Sequence, residues 1–203
     1  MNSPTEKQRP PHHDLPREYI IKKASKLFIK NSYDRTSIRD IASACDMAMG
    51  TLYHYIGSKE NLLRLVVETH SEKTREVVAK LQQAKNRGTP SDALVDSINF
   101  FIQAIEKNKE IFVFIFTEAK VMPLHNRRVL LDTQREIVHA FGQILLKGQQ
   151  NGVFLTQDTN LAAHTLVSLV EMWGVKWWYL REHYTLNQYR DFITGFMLNS
   201  ICY

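Results

Sequence analysis

Apolar residues recur along most of this chain with the spacing of an α-helix. After Pro16, the residues Ile20, Ile21, Ala24, Leu27 and Phe28 share one face of a 3.6-residue period, with lysines opposite. That pattern predicts an amphipathic helix ending near Asn31 to Asp34. Ser37 suits the cap of a second, short helix. Asp40 puts negative charge in its first turn, and Ile38, Ile41, Ala42 and Cys45 supply its buried face. A turn around Asp46 leads to a brief helical segment, Ala48 to Tyr55, which breaks at Gly57. Ser58 then opens a longer helix through Leu62, Leu63, Val66 and Val67.

The remainder also reads as helix. Arg87 to Pro90 is a break, followed by a stripe of Ala93, Leu94, Ile98, Phe101, Ile102 and Ile105. Ile111 to Val121 is rich in β-branched and aromatic residues. With no partner strand predicted elsewhere it reads as a buried helix, ended by Pro123. Val129 to Leu146 follows, closed by Gly148 and Gly152. The last two helices span Asp158 to Leu180 and Leu186 to Ile201. The expected fold class is all-α. A flexible tail over 1–14 precedes a three-helix domain over 15–75 and a larger helical bundle over 76–203. Prolines 4, 10, 11 and 16 account for the tail. His12 and His13 within it lack further metal ligands.

Composition narrows the class. The chain has 203 residues, 44% hydrophobic and 23% charged, enough to bury a sizeable core. Eight glycines and six prolines exclude collagen-like or low-complexity architecture. Cys45 and Cys202 make no disulfide framework, and the longest apolar run, Ile111 to Phe116, is too short to span a membrane. With no apolar leader at the N-terminus, the expected location is the cytoplasm. The formal net charge is +5. Most of it lies between Arg17 and Glu60, where eight basic residues face five acidic ones. This suits nucleic acid, though charge alone also fits an ordinary solvated surface.

Catalytic signals are weak. No phosphate-binding glycine loop, nucleophile elbow, zinc-protease helix or paired-cysteine motif occurs. Glu136 and His139 have one half of a di-metal spacing, without a second half. No catalytic residue, metal or cofactor is assigned.

The specific signal lies between Thr36 and Tyr55. Two short helices joined by a tight turn, behind an amphipathic helix, have the layout of a DNA-reading helix-turn-helix. Ala48, Gly50 and Thr51 would keep the backbone of the second helix near base edges. Tyr53 and His54 would reach phosphates, and Leu52 and Tyr55 would face the first two helices.

The run Thr36-Ser37-Ile38-Arg39-Asp40-Ile41-Ala42, then Gly50-Thr51-Leu52-Tyr53-His54-Tyr55, then Ser58-Lys59-Glu60-Asn61-Leu62-Leu63 resembles the TetR family of bacterial regulators. The likeness covers roughly Leu15 to Arg75. It implies a homodimer that binds double-stranded DNA at a palindrome, and an effector domain of divergent sequence. By this resemblance Ser37 caps the second helix and approaches phosphate together with Thr36. Arg39 reaches backbone or groove edge, Thr51 contacts DNA, and Tyr53, His54 and Lys59 bind phosphates. Four positions depart from the family pattern, among them Ile56, which stands where the family commonly has an aromatic residue. Asp46 occupies the turn, and Ala48 and Met49 are apolar where a DNA contact is common. Ala48 and Met49 either touch a thymine methyl group or, for Met49, pack against a neighbour.

Aromatic residues concentrate in the larger domain. Phe101, Phe112, Phe116, Trp173 and Trp177 are the expected walls of an effector cavity, Trp173 and Trp177 by sharing one helical face. The resemblance places the dimer interface on the last two helices, with Leu166, Leu169 and Val170 on one and Phe192, Ile193, Phe196 and Met197 on the other. The segments around Phe116 to Lys120 and Gly148 to Phe154 resemble members that respond to acyl-CoA. Arg127, Arg128 or Arg135 would then neutralise its phosphates. The expected function is a ligand-responsive repressor released by a small apolar effector. A multidrug-responsive repressor, a constitutive regulator with a filled core, and a helical enzyme are the alternatives. Salt-dependent binding to a palindrome separates the regulators from the enzyme, and ligand-induced release separates the responsive repressors from the constitutive regulator.

Overall fold

The computed structural model describes residues 17–155 and 158–202. The expected tail, with His12 and His13, lies outside them. Ten helices occur among the described residues: α1 (Arg17–Asn31), α2 (Ile38–Ala44), α3 (Met49–Ile56), α4 (Lys59–Ala84), α5 (Pro90–Lys107), α6 (Lys109–Glu118), α7 (Leu124–Gln150), α8 (Thr159–Val175), α9 (Trp177–Leu180) and α10 (Leu186–Ile201). The only extended pairing among them is an isolated antiparallel bridge between Phe154 and Cys202. The fold is all-α. The chain forms two compact units that divide between Val66 and Val67, rather than at the expected 75. No loop marks the division, because α4 runs through that point without a break.

Local chemistry sets several helix starts. Ser37, Thr89 and Thr185 each form a capping box, with Asp40, Asp92 and Gln188 respectively. Pro90 occupies the first turn of α5, where its missing N–H costs nothing. The Asp158 carboxylate accepts from the amides of Asn160 and Leu161, both at 2.9 Å, and so starts α8.

In the first unit, Ile20, Ala24 and Phe28 of α1, Ile41 and Ala42 of α2 and Leu52 and Ile56 of α3 are all buried, and α2 packs against both α1 and α3. In the second, α5, α7 and α8 pack against one another around Ile98, Phe101, Phe141, Ile144, Leu166 and Val170. Three expectations change. The helix α7 starts at Leu124, directly after Pro123, and continues to Gln150. Gly148 therefore lies inside it rather than closing it, while Gly152 takes the left-handed turn at φ +69°. The predicted helix from Asp158 to Leu180 is two helices, broken at Lys176.

Candidate nucleic-acid interface and effector cavity

The first unit displays α3 on a rigid base. Leu52 and Ile56 lie four positions apart and anchor α3 to the core. Tyr55, expected beside Leu52, is only half-buried and packs edge-on to the His54 ring at 5.9 Å. The inner face therefore runs through Ile56. The opposite face carries Met49, Gly50, Tyr53 and His54, all exposed, with Thr51 half-buried. A Cβ at Gly50 would meet nothing within 4 Å, so packing within the chain does not demand glycine there. Between α2 and α3, Asp46 holds φ +54°, a turn conformation that Asp tolerates better than most residues. Ala48 precedes α3 with no side-chain cap, which leaves the amides of its first turn without that partner.

The Ser37 hydroxyl accepts from the Asp40 amide at 3.1 Å and donates to the Asp40 carboxylate at 2.7 Å. The hydroxyl's donation, together with that of the Ser37 amide at 2.8 Å, holds the exposed Asp40 carboxyl below the usual carboxylate range. Arg39 is exposed on the same short helix. Lys59 opens α4, with its ammonium 4.2 Å from the centre of the Tyr33 ring. Nothing in the chain order points to that contact. Ser58 precedes Lys59 and accepts from the Asn61 amide at 3.0 Å.

Thr36 is a correction. It is 0% exposed, and its hydroxyl donates to the carbonyls of Ser32 at 2.8 Å and Leu27 at 3.3 Å. No phosphate reaches it. Its task is to tie the turn after α1 to the helix end. Thr36→Val keeps the shape and removes the donor. It is expected to cost about 1–3 kcal/mol, measured by urea unfolding, with little change in affinity for DNA while the protein stays folded.

The second unit contains a partly open cavity of about 590 Å³, within the range of small-molecule sites. Phe101, Phe112 and Phe116 line it. Phe112 and Phe116 stack at 6.4 Å, and Phe116 is exposed. Trp173 and Trp177 do not line it. The Trp173 indole is buried and donates to Glu106 at 2.8 Å, and a bond of this kind fixes the ring in the framework. Trp177 falls beyond the break at Lys176. Its ring lies between the cations of Lys109, at 4.2 Å, and Arg181, at 4.1 Å.

Most of the polar lining carries no signal in the sequence. His70, Lys73 and Thr74 come from α4, Gln134 from α7 and Glu171 from α8. Burial pushes the Glu171 carboxyl up to about 7, an effect partly offset by a hydrogen bond from the Gln134 amide. Burial, then the Lys73 charge, pushes His70 down to about 4, so it is neutral at pH 7. For Glu171 a signal exists: it is the single acidic residue within α8. Of the expected cations, Arg127 lines the cavity, Arg128 is exposed away from the lining, and Arg135 pairs with Asp132 at 2.8 Å. Glu136 pairs with Arg75 at 3.3 Å, which removes it from any metal site with His139. Among the described residues, no group of three or more metal-ligating side chains is placed to hold an ion, and no helix is long and apolar enough to cross a membrane.

The expected interface residues divide by face. Leu166, Val170, Ile193 and Met197 are buried in the bundle's own core. Phe192 and Phe196 remain 69% and 51% exposed and stack on each other at 6.3 Å. Leu161 and Met172 of α8 are exposed as well.

Comparison with known proteins agrees with this architecture. Residues 20–66 match the family described as bacterial regulatory proteins, tetR family, and residues 87–201 match the tetracyclin repressor-like C-terminal domain. The chain is 20% identical over 173 residues to the HTH-type transcriptional regulator HbdR of Aromatoleum sp. (strain CIB), covering 85% of this chain and 75% of that one. The TetR family regulator PfmR from Thermus thermophilus superimposes with a TM-score of 0.76 at 25% identity, over 89% of this chain and 97% of PfmR. AibR, solved with isovaleryl coenzyme A and operator DNA, shares the fold at a TM-score of 0.76 and 22% identity, over 89% of this chain and 96% of AibR. A match spanning the reading head and more than half of the chain beyond it leaves one assignment: the protein belongs to the TetR family and is a DNA-binding transcriptional regulator, not an enzyme.

Proposed function

We propose that the protein is a repressor whose homodimer holds a palindromic operator and releases it when a small, mainly apolar effector fills the cavity of the second unit. The observation that carries this reading is the cavity itself, set in a domain whose core apolar residues are buried against one another. A constitutive regulator has no use for it. On the DNA side, Gly50 lets the α3 backbone approach base edges, with Ala48, Met49 and Thr51 beside it. Ser37, Arg39, Tyr53, His54 and Lys59 take phosphates. Regulators of this family are dimers that bind operators and small effectors. The exposed Leu161 and Met172 of α8 and Phe192 and Phe196 of α10 are the natural dimer surface. Two recognition helices about 34 Å apart, one DNA turn, would read the two halves of the palindrome.

The link between the two events is α4. It begins with Lys59 and continues to the cavity residues His70, Lys73, Thr74 and Val77. A ligand pressing on those residues biases the helix, and DNA biases it at its other end. The coupling is reciprocal: effector and operator weaken each other's binding by the same factor. A second reading, an acyl-CoA effector, is favoured by Lys73, Lys120 and Arg127 at the exposed part of the cavity, which suit phosphate groups.

Fluorescence anisotropy with the DNA upstream of the protein's own coding sequence, at several salt concentrations, tests the proposal. The expected result is sequence-selective binding that weakens steeply with salt. An effector is then expected to lower operator affinity by about 5–150-fold. Selective binding that no ligand of the cavity alters would leave the constitutive reading.

A further inference from the structure

The effector cavity contains one acidic group, and its surroundings are chemically unusual. Glu171 and Gly174 are three positions apart and share a face of α8. A Cβ at Gly174 would come within 2.7 Å of both Phe112 and Ile105. The Phe112 ring therefore lies directly on α8, one turn from the carboxylate, and Phe101 lines the same space from α5. Glu171 receives a hydrogen bond from Gln134, a neutral amide. Among the described residues no salt bridge reaches it.

The charged groups around the cavity do not supply the missing partner. On α4, His70 is neutral at pH 7 and Lys73 is exposed. Lys120, after α6, and Arg127, on α7, are also exposed. On α5 the lining residues are Phe101, Ala104, Ile105 and Asn108, none of them charged. Exposed cations are screened over about 8 Å at physiological salt, whereas a buried carboxylate is screened far less. An ionised carboxylate that no cation pairs with, in a mainly apolar, aromatic-walled space, is unfavourable until one arrives. Aromatic faces beside it attract the same kind of group.

We infer that the effector carries a cationic nitrogen, an ammonium on an aryl- or alkyl-bearing body, and that Glu171 is its counter-ion within the cavity. This rests on the cavity being the effector site. Binding such a cation drives the carboxyl to its ionised form, so a proton leaves Glu171 for solvent. Because burial holds that carboxyl at about 7, affinity for the cation falls about tenfold for each pH unit below 7 and levels off above it.

The test uses the full-length protein and a series of benzyltrimethyl-, benzyltriethyl- and benzyltributylammonium, with neopentylbenzene as the neutral counterpart of the first. Calorimetry at pH 6.5 in buffers of different ionisation enthalpy reads the proton. The expected result is that at least one ammonium binds with net proton release, and that benzyltrimethylammonium binds at least tenfold more tightly than neopentylbenzene. Glu171→Gln is expected to abolish both the preference and the proton release while the neutral compound still binds. Proton uptake, equal binding by Glu171→Gln, or no ammonium binding overturns the inference. Ala104→Trp, which puts a bulky ring on the cavity wall and narrows the space, keeps the two levels apart. If acyl-CoA or a neutral compound releases DNA from the natural protein but not from Ala104→Trp, the effector site stands and the cation falls. If the ligand releases DNA from Ala104→Trp with unchanged affinity, the site itself is elsewhere.

Discussion

Gly148→Ala is expected to destabilise the protein by about 3–5 kcal/mol, comparable to removing a buried phenylalanine. A Cβ at Gly148 would overlap the Phe154 ring. That ring is not a flexible side-chain end. Phe154 is fully buried, and the chain around it is tied down by backbone bonds. The amides of Val153 and Phe154 both donate to the Gly148 carbonyl, at 2.9 and 3.2 Å, and the Leu155 amide donates to Ile201 at 2.6 Å. Relief requires the ring to leave its site or α7 to shift from it. Either change opens a void beside Ile201 and Cys202, where the α10 end meets this turn. Gly148→Ala should therefore unfold at markedly lower urea concentration and lower temperature, at fixed protein concentration. Gly152→Ala is a comparison with a different cause: its Cβ would meet nothing, and only its positive φ is strained. Equal stability of Gly148→Ala and the natural protein would show that the turn repacks freely.

The second large effect concerns DNA. Lys59→Ala is expected to weaken operator binding by roughly 10–100-fold, and to lower the slope of log affinity against log salt by about 2 for a dimer, one per lysine. The lysine sits in the first turn of α4, where the helix dipole also favours an anion. The Tyr33 face holds its ammonium in place, so less freedom is lost on contact. A phosphate contact carries no sequence information, so specific and non-specific DNA should lose affinity together. Met49→Ala should behave differently. A loss confined to the specific site would mean that Met49 meets a base edge, whereas a loss of stability would mean that it packs within the protein. Lys59→Ala with unchanged affinity and unchanged slope would remove Lys59 from the contact set.

The features legible in the sequence are those decided within a few residues. Ser37 with Asp40, and Ile20 with Ala24 and Phe28, act through spacing along one helix, so their roles follow from chain order alone. The turn at Asp46 and the break at Gly57 are local in the same sense. That is why the all-α class, the reading head and most helix positions follow from periodicity and capping. Helix ends are less legible. Lys176 gives no breaking signal, and α7 begins five residues before its expected start because Leu124 and His125 continue the helix that Pro123 permits.

The cavity is legible only in part, for a physical reason. A helix presents several faces, and which face meets a neighbour depends on how the helices rotate against one another. Phe101, Phe112 and Trp173 look alike in sequence, yet Glu106 takes the Trp173 indole into the framework while the two phenylalanines line the cavity. Thr36 resembles a surface threonine until the carbonyls of Leu27 and Ser32 close over it.

By itself, then, the chain's order of apolar and polar residues determined most of its helices and the layout of its DNA-reading motif, because these depend on short-range periodicity and capping; the family follows from the likeness of the motif residues themselves. The tertiary structure alone decided which apolar residues fill the core, which remain outside as Phe192 and Phe196 do, and that Glu171 stands in an apolar cavity. Burial and electrostatic environment arise from contacts between residues distant in the chain, and no local pattern encodes them.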